Sequence, residues 1–211
     1  MDTRHVARPV RVAVYALTIL LVSLFAQGAQ TDGIVSVASR DSFGHACPIS
    51  ASDALTAEHV SSLRHVIRPL VWSDGESSGT VLEAWADRRR DLSAVKTDND
   101  HPFRRWFQVA RAAPTPGAWV LILGYDFDKG LRPKPVRTRV LEIVAGHISY
   151  DKGAGPGSSG SCVLLEETGE LVAINVGQFE IATDRTRGIG VAVWGDWLQI
   201  PTEYIEKVEE P

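Results

Sequence analysis

The sequence predicts an all-β protein, built either as a β-sandwich or as closed barrels. Beyond residue 30 the apolar stretches are short, and Gly, Pro, Asp or Ser residues bound them. Several stretches alternate, as in residues 136–140, where one face of a strand would be buried and the other polar. Turn residues recur between the stretches, for example at 73–75, 114–117 and 128–130. Many short strands with regular turns are typical of sandwiches and barrels.

The predicted elements follow this pattern in chain order. The strands are expected at Ile34–Val37, Val66–Trp72, Val81–Trp85, Trp119–Leu123, Val136–Val144, Cys162–Leu165, Leu171–Val176 and Ile189–Trp194. One helix is expected over Pro201–Glu209, because apolar residues around it recur at helical spacing. The sequence contains no internal repeat, no long low-complexity tract and no Pro-rich linker.

The first 28 residues have the pattern of an export signal. Arg4, Arg8 and Arg11 precede an apolar run over residues 12–26, and the small residues Ala26 and Gly28 follow it. We favour a cleaved signal peptide over residues 1–28, and the alternative is an uncleaved membrane anchor. The expected location is therefore secreted or periplasmic, or membrane-anchored with an exported domain. Membrane association is expected only through this segment.

Composition excludes several classes of protein. Of the 211 residues, 44% are hydrophobic and 23% are charged, which is the balance of a globular protein and not of a disordered one. A net charge of -4 argues against nucleic-acid binding. The two cysteines form no CxxC pair, and His45, His65, His101 and His147 show no ligand spacing, so we expect no metal and no cofactor.

Three short segments contain residues suited to nucleophilic catalysis. Ser159 stands among small residues in 157–161, where glycines permit a tight backbone and close approach by a substrate. His59 follows an apolar run, and an imidazole titrates close to neutral pH, as a general base requires. Asp91 stands at the entry to a short, mostly apolar stretch over residues 92–95. Taken singly, these residues could equally be a flexible turn, a structural histidine and a surface aspartate.

Together the three segments resemble the trypsin-like serine peptidases, and HtrA-type peptidases in particular. The order His59, Asp91, Ser159 is the order of that family. Thr-Ala-Glu-His at 56–59, Asp-Leu-Ser-Ala-Val at 91–95 and Gly-Ser-Ser-Gly-Ser at 157–161 resemble its three motif blocks. Residues 116–124, 169–177 and 188–193 are similar to three further strands of HtrA-type peptidases. The resemblance covers nearly the whole chain from residue 34 onward.

The resemblance implies a fold and an activity. The fold would be two six-stranded antiparallel β-barrels in a peptidase domain over 29–211, with barrels at about 34–110 and 111–198 and a C-terminal helix. The activity would be that of a serine endopeptidase that cleaves polypeptides through an acyl-enzyme. Ser159 would be the nucleophile, His59 the general base and Asp91 its orienting partner, while the N–H groups of Gly157 and Ser159 would form the oxyanion hole.

Some positions depart from the pattern of the family. Ser158 replaces an aspartate that pairs with a new N-terminus in zymogens, so we expect no activation cleavage of that kind. Glu58 stands where alanine is usual, and it would raise the pKa of His59 if it points inward. Gly153 stands where trypsins carry an acid, and Asn175 where glutamyl endopeptidases carry a histidine. The implied substrate-binding set is therefore a small or apolar pocket, formed by Gly153, Asn175, Val176 and Gly177.

The two cysteines and the activity itself leave alternatives open. On the family model Cys47 and Cys162 lie on neighbouring strands, so they either form a disulfide or remain two buried thiols. A catalytically silent barrel that acts as a binding module is the alternative to an enzyme. A membrane-anchored quality-control peptidase is another, although we expect no PDZ domain of the kind that HtrA-type proteins usually add. The sequence contains no feature from which an oligomeric state is predicted.

Overall fold

The computed structural model describes residues 35–38, 43–61, 70–73, 78–97, 100, 102–126, 132–182, 185–195 and 198. Within these ranges the chain forms twelve strands and one short helix. The predicted leader, the predicted C-terminal helix and the start of the predicted strand at 66–72 lie outside the described residues. No helix in the described ranges has both the length and the apolar character needed to cross a membrane.

Six antiparallel strands close the first barrel. They are hydrogen-bonded in the order β1-β2-β3-β6-β5-β4, and β1 closes the barrel against β4. A single helical turn, α1, follows β3. The bounds are β1 Val35–Ala38, β2 Phe43–Pro48, β3 Asp53–Thr56, α1 Glu58–Ser61, β4 Leu70–Ser73, β5 Ser78–Asp87 and β6 Leu92–Thr97.

Six further antiparallel strands close the second barrel. Their order is β10-β11-β12-β9-β8-β7, and β10 closes the barrel against β7. The bounds are β7 Trp119–Asp126, β8 Arg132–Val144, β9 His147–Tyr150, β10 Cys162–Leu165, β11 Leu171–Ala182 and β12 Arg185–Ala192. The all-β prediction and the two-barrel expectation are therefore confirmed.

The buried apolar side chains of the described residues form three clusters. Val37, Ala54 and Val95 belong to the core of the first barrel, and Ile122 and Val172 to that of the second. Alternation along each strand produces these cores, because every second side chain points inward. A third cluster draws on both barrels and includes Cys47, Leu55, Leu92, Cys162, Ile174 and Val191. This third cluster packs the two barrels against each other.

The strands extend further than their apolar stretches predict. β11 is fully buried from Leu171 to Asn175, but it continues as an exposed hairpin with β12 as far as Ala182. The predicted strand ends at Val176, and the extension places the apolar side chains of Phe179 and Ile181 at the surface. The extension matters for the site described next, because β11 runs beside the loop that carries Ser159.

Candidate active site

His59 lies in α1, immediately after the buried strand β3. The strand residues Ala54 and Leu55 have no exposed surface, and Val60 of the helix is also buried. The hydroxyl of Ser61 donates a hydrogen bond to the hydroxyl of Ser93 at 2.8 Å, which ties α1 to β6. The helix is therefore held on the barrel, while the His59 side chain remains 47% exposed.

Asp91 orients His59 through two hydrogen bonds. Its Oδ1 accepts from the backbone N–H of His59 at 2.9 Å, and its Oδ2 lies 2.7 Å from Nδ1 of the ring. The carbonyl of Asp91 also accepts from the N–H of Glu58 at 3.2 Å. Asp91 adopts a left-handed conformation with φ of 58°, which costs energy in a residue other than glycine. The three contacts with α1 hold it there, so backbone and ring geometry are set together.

The surroundings of His59 favour its charged form. The hydrogen bond to Asp91 raises the pKa of the imidazole above its ordinary 6.5, partial burial opposes the shift, and the negative charges of Asp91 and Glu58 add to it. Glu58 is 7% exposed and forms an ion pair with Arg88 at 3.2 Å. An imidazole of this kind accepts a proton readily once it is neutral, and the adjacent carboxylate stabilises the imidazolium that results.

Ser159 lies in the loop between β9 and β10, which we call the nucleophile loop and define as residues 153–161. Gly157 and Gly160 have φ values of 82° and 83°, a region that L-residues with a side chain rarely adopt. A Cβ on Gly160 would collide with the carbonyl oxygen of His45 and the hydroxyl of Thr56. Position 160 therefore requires glycine both for its backbone conformation and for the close approach of β2.

The nucleophile loop contacts the barrel that carries His59. The backbone N–H of His45 donates to the carbonyl of Ser159 at 2.8 Å. A Cβ on Gly44 would lie 2.7 Å both from that carbonyl oxygen and from Cγ2 of Val60. Ser159 and the helix that carries His59 are therefore neighbours across the α-carbon of Gly44. The structure thus pairs His59 with Asp91 and places the backbone of the nucleophile loop beside α1.

A buried histidine lies behind the proposed oxyanion hole. The side chain of His45 interacts with the backbone of Gly157 and Ser159, and the residue is 1% exposed. Burial lowers the pKa of His45 to about 4, because an imidazolium would lose its hydration there, and the interactions with the two backbone groups oppose that shift. His45 is therefore neutral at physiological pH. The sequence offers no signal for this role, because His45 shows no catalytic or ligand spacing.

Asn175 supports the nucleophile loop from below. It has no exposed surface, and its Nδ2 donates to the carbonyl of Ser158 at 3.0 Å and lies 3.1 Å from the Ser158 hydroxyl. The same hydroxyl donates to the carbonyl of Gly155 at 2.6 Å. A side chain without exposed surface cannot line an open cleft. Asn175 therefore occupies a supporting position, whereas the resemblance to the family implied that it lines a pocket.

The other residues of the implied pocket lie along β11 and the start of the loop. Val176 and Gly177 are half-buried, and beyond its chain neighbours no atom lies within 4 Å of the place where a Cβ of Gly177 would stand. The side chain of the next residue, Gln178, lies against Gly153, and its Oε1 accepts from the N–H of Gly155 at 3.0 Å. Gln178 thus bridges β11 and the loop. Sequence patterns missed this residue because its position depends on the exposed extension of β11.

A disulfide bond joins Cys47 and Cys162, with their α-carbons 5.1 Å apart. Cys47 lies two residues after His45 on β2, and Cys162 lies three residues after Ser159 at the start of β10. Both side chains are buried in the cluster between the barrels. The bond therefore links the two barrels directly beside the nucleophile loop.

Neither a family model nor a curated protein matches the sequence. Solved structures do match: the inactive serine-to-alanine mutant of Rv3671c from M. tuberculosis H37Rv has a TM-score of 0.65 and 15% identity over 88% of this chain and 92% of that one. Another Rv3671c protease structure, an inactive form, has a TM-score of 0.63 and 16% identity, with 88% and 93% covered. The serine endoprotease from Yersinia pestis has a TM-score of 0.65 and 19% identity over 88% of this chain, which spans 66% of that structure. The chain therefore has the double-barrel fold of the trypsin-like serine peptidases.

Proposed function

We propose that the protein is a serine endopeptidase that hydrolyses peptide bonds through an acyl-enzyme, with His59, Asp91 and Ser159 as its catalytic residues. The observation that carries the proposal is the paired hydrogen bonding of His59 to Asp91, through its backbone at 2.9 Å and its ring at 2.7 Å. This arrangement leaves the other ring nitrogen for proton transfer, and it lies on the helix that neighbours Ser159 across Gly44.

In the proposed reaction the Ser159 hydroxyl attacks the scissile carbonyl. His59 accepts the hydroxyl proton and then gives it to the leaving amine, which departs and leaves Ser159 acylated. A water molecule then reacts in the same way. His59 takes a proton from the water, and the resulting hydroxide adds to the ester carbonyl. The acid product leaves as Ser159 regains a proton. Asp91 keeps the imidazole in the required tautomer throughout and stabilises the imidazolium.

Backbone N–H groups of Gly157 and Ser159 would bind the oxyanion of each tetrahedral intermediate. The positive φ of Gly157 and the contact of His45 with this backbone support a fixed loop conformation. A preformed donor stabilises charge that develops only in the transition state, and the loss of one such donor costs about 3–4 kcal/mol in the barrier.

We propose further that the substrates are polypeptides with a small side chain before the scissile bond. The bridge from Gln178 to Gly155 supports this preference, since it occupies space between β11 and the nucleophile loop. The absence of an acid at Gly153 argues against selection of Lys or Arg. Export through residues 1–28, with the segment either removed or kept as an anchor, is part of the same proposal and rests on the sequence pattern alone.

A fluorophosphonate probe tests the proposed function on the full-length chain. We expect covalent labelling of the wild type, and at least about 100-fold less of Ser159→Ala. Ser149→Ala is a matched control on β9, because among the described residues that hydroxyl has only a 3.4 Å contact with Glu142. This variant should leave labelling unchanged. If the wild type is labelled no better than Ser159→Ala, the protein is not a serine hydrolase. A silent barrel that binds peptides would then be the better description.

A further inference from the structure

The carbonyl group of Ser158 is held by two donors beneath the nucleophile loop. Nδ2 of Asn175 donates to it at 3.0 Å, and the backbone N–H of Ser161 donates at 3.1 Å. A carbonyl oxygen has two lone pairs, so both of its acceptor positions are used. The direction of this carbonyl is therefore fixed by one backbone group and one side chain.

The direction of the Ser158 carbonyl determines the direction of the next N–H group. A peptide unit is planar, and in the trans form its C=O and N–H point in opposite directions. The described residues contain no cis peptide bond. Since the carbonyl of Ser158 points toward the buried Asn175, the N–H of Ser159 must point away from it. That N–H is one of the two proposed oxyanion donors.

Asn175 is itself held in place by the same loop. Its backbone N–H donates to the carbonyl of Ser161 at 2.9 Å, and its own carbonyl accepts from Gly160 at 2.7 Å. The carbonyl of Ser158 can only accept a hydrogen bond, so the amide nitrogen and not the amide oxygen must face it. The side chain has no exposed surface, so water offers it no alternative hydrogen-bond partner.

We propose that Asn175 is a positioning residue, which aims the Ser159 N–H at the oxyanion by holding the Ser158–Ser159 peptide plane. The proposal rests on the proposed function and adds a mechanism for how the hole is formed. Asn175 carries no charge, and its amide donates to a carbonyl and lies beside a hydroxyl. The oxyanion hole would therefore form without an activation cleavage, because no ion pair is needed to assemble it.

Two near-isosteric variants test the proposal, with kcat and KM measured on a peptide substrate of the wild type. Asn175→Leu removes the donor at every pH, and we expect kcat to fall about 10- to 100-fold with KM unchanged, because the oxyanion exists only beyond the ground state. Asn175→Asp donates only while protonated, and burial raises the pKa of such a carboxyl. We therefore expect the ratio of its kcat to that of the wild type to fall as pH rises.

The control is Thr138→Val, which removes a partly buried hydrogen bond of the second barrel, from Lys152 N–H at 2.9 Å. We expect it to lower the melting temperature, as we also expect of the Asn175 variants, while leaving kcat intact. A folded Asn175→Leu that keeps wild-type kcat, or that changes only KM, overturns the proposal. If Asn175→Leu does not fold, the Asn175→Asp series decides, and a ratio independent of pH overturns it. Failure of the wild type to react with a fluorophosphonate would instead refute the proposed function.

Discussion

At the scale of single residues, the site depends on side chains and backbone groups that are fixed together. Asp91 holds the ring and the backbone of His59 and adopts a left-handed conformation to do so. Such a conformation persists only where the surrounding contacts over-determine it. A change at Asp91 would therefore disturb both the orientation and the protonation of His59, whereas a change at Glu58 should act on protonation alone.

We expect Glu58→Gln to shift the pH dependence of activity. The wild-type rate should rise with pH through the pKa of His59, above 6.5, because the protonated ring cannot accept the serine proton. The Glu58 carboxylate is one of the causes that raise this pKa, so its neutralisation should move the rise to lower pH. The measurement is kcat/KM between pH 5 and 9.

Arg88→Gln is the matched control, because it breaks the same ion pair but leaves the carboxylate of Glu58. It should not move the rise in activity to lower pH. An unchanged profile for Glu58→Gln would mean that Glu58 does not act on His59.

At the scale of elements, the exposed end of β11 lies beyond the strand that the sequence predicts, which ends at Val176. Residues 177–182 extend beyond the buried half of the strand and pair with β12 as far as Arg185. Successive side chains on a strand point to opposite faces, so Gln178 and Phe179 have different surroundings. Gln178 reaches the nucleophile loop, and Phe179 is 41% exposed.

We expect Gln178→Ala to widen substrate selection. The wild type should prefer Ala, Ser or Val before the scissile bond. The variant should gain about tenfold in kcat/KM for Leu or Phe relative to Ala, because a pocket enlarged by a few methylene groups changes selectivity by about that factor. A peptide library read by mass spectrometry measures the change. Phe179→Ala, on the opposite face, should leave the profile as it is. A wild type that already prefers Leu or Phe would refute the bridging role of Gln178.

At the scale of the whole molecule, the two barrels meet through a shared apolar cluster and one covalent bond. The disulfide closes a loop between residues 115 positions apart, and it lies in that cluster. Closing a long loop restricts the unfolded chain, which stabilises the folded state. The bond also keeps β2, whose His45 N–H holds the Ser159 carbonyl, next to the start of β10.

Replacing both cysteines should destabilise the protein without changing its fold. We expect Cys47→Ala/Cys162→Ala to lower the free energy of unfolding by about 2–5 kcal/mol, as measured by denaturant titration. In a strong reductant, the same titration should give a lower free energy of unfolding for the wild type but not for the variant. This comparison separates loss of the bond from loss of the two sulfur atoms. Equal stability of oxidised wild type and variant would contradict the prediction.

The sequence by itself determined the fold class and the residues of the proposed chemistry. Alternating apolar residues and frequent turns indicate strands, because strand periodicity is a local property. The segments around His59, Asp91 and Ser159 resemble a family whose fold these residues adopt, and the same resemblance placed Cys47 near Cys162. The strand pattern and the three motif segments are visible because each lies within a few consecutive residues, whereas the pairing of the distant cysteines came only from the resemblance.

Only the tertiary structure decided how the candidate site is supported. Asn175 reaches Ser158, Gln178 reaches Gly155, and His45 reaches Ser159, each across a turn or between barrels. Such contacts join residues distant in the sequence and arise from barrel closure and strand register. No local pattern encodes them, and for that reason Asn175 was expected in a pocket and found beneath the nucleophile loop.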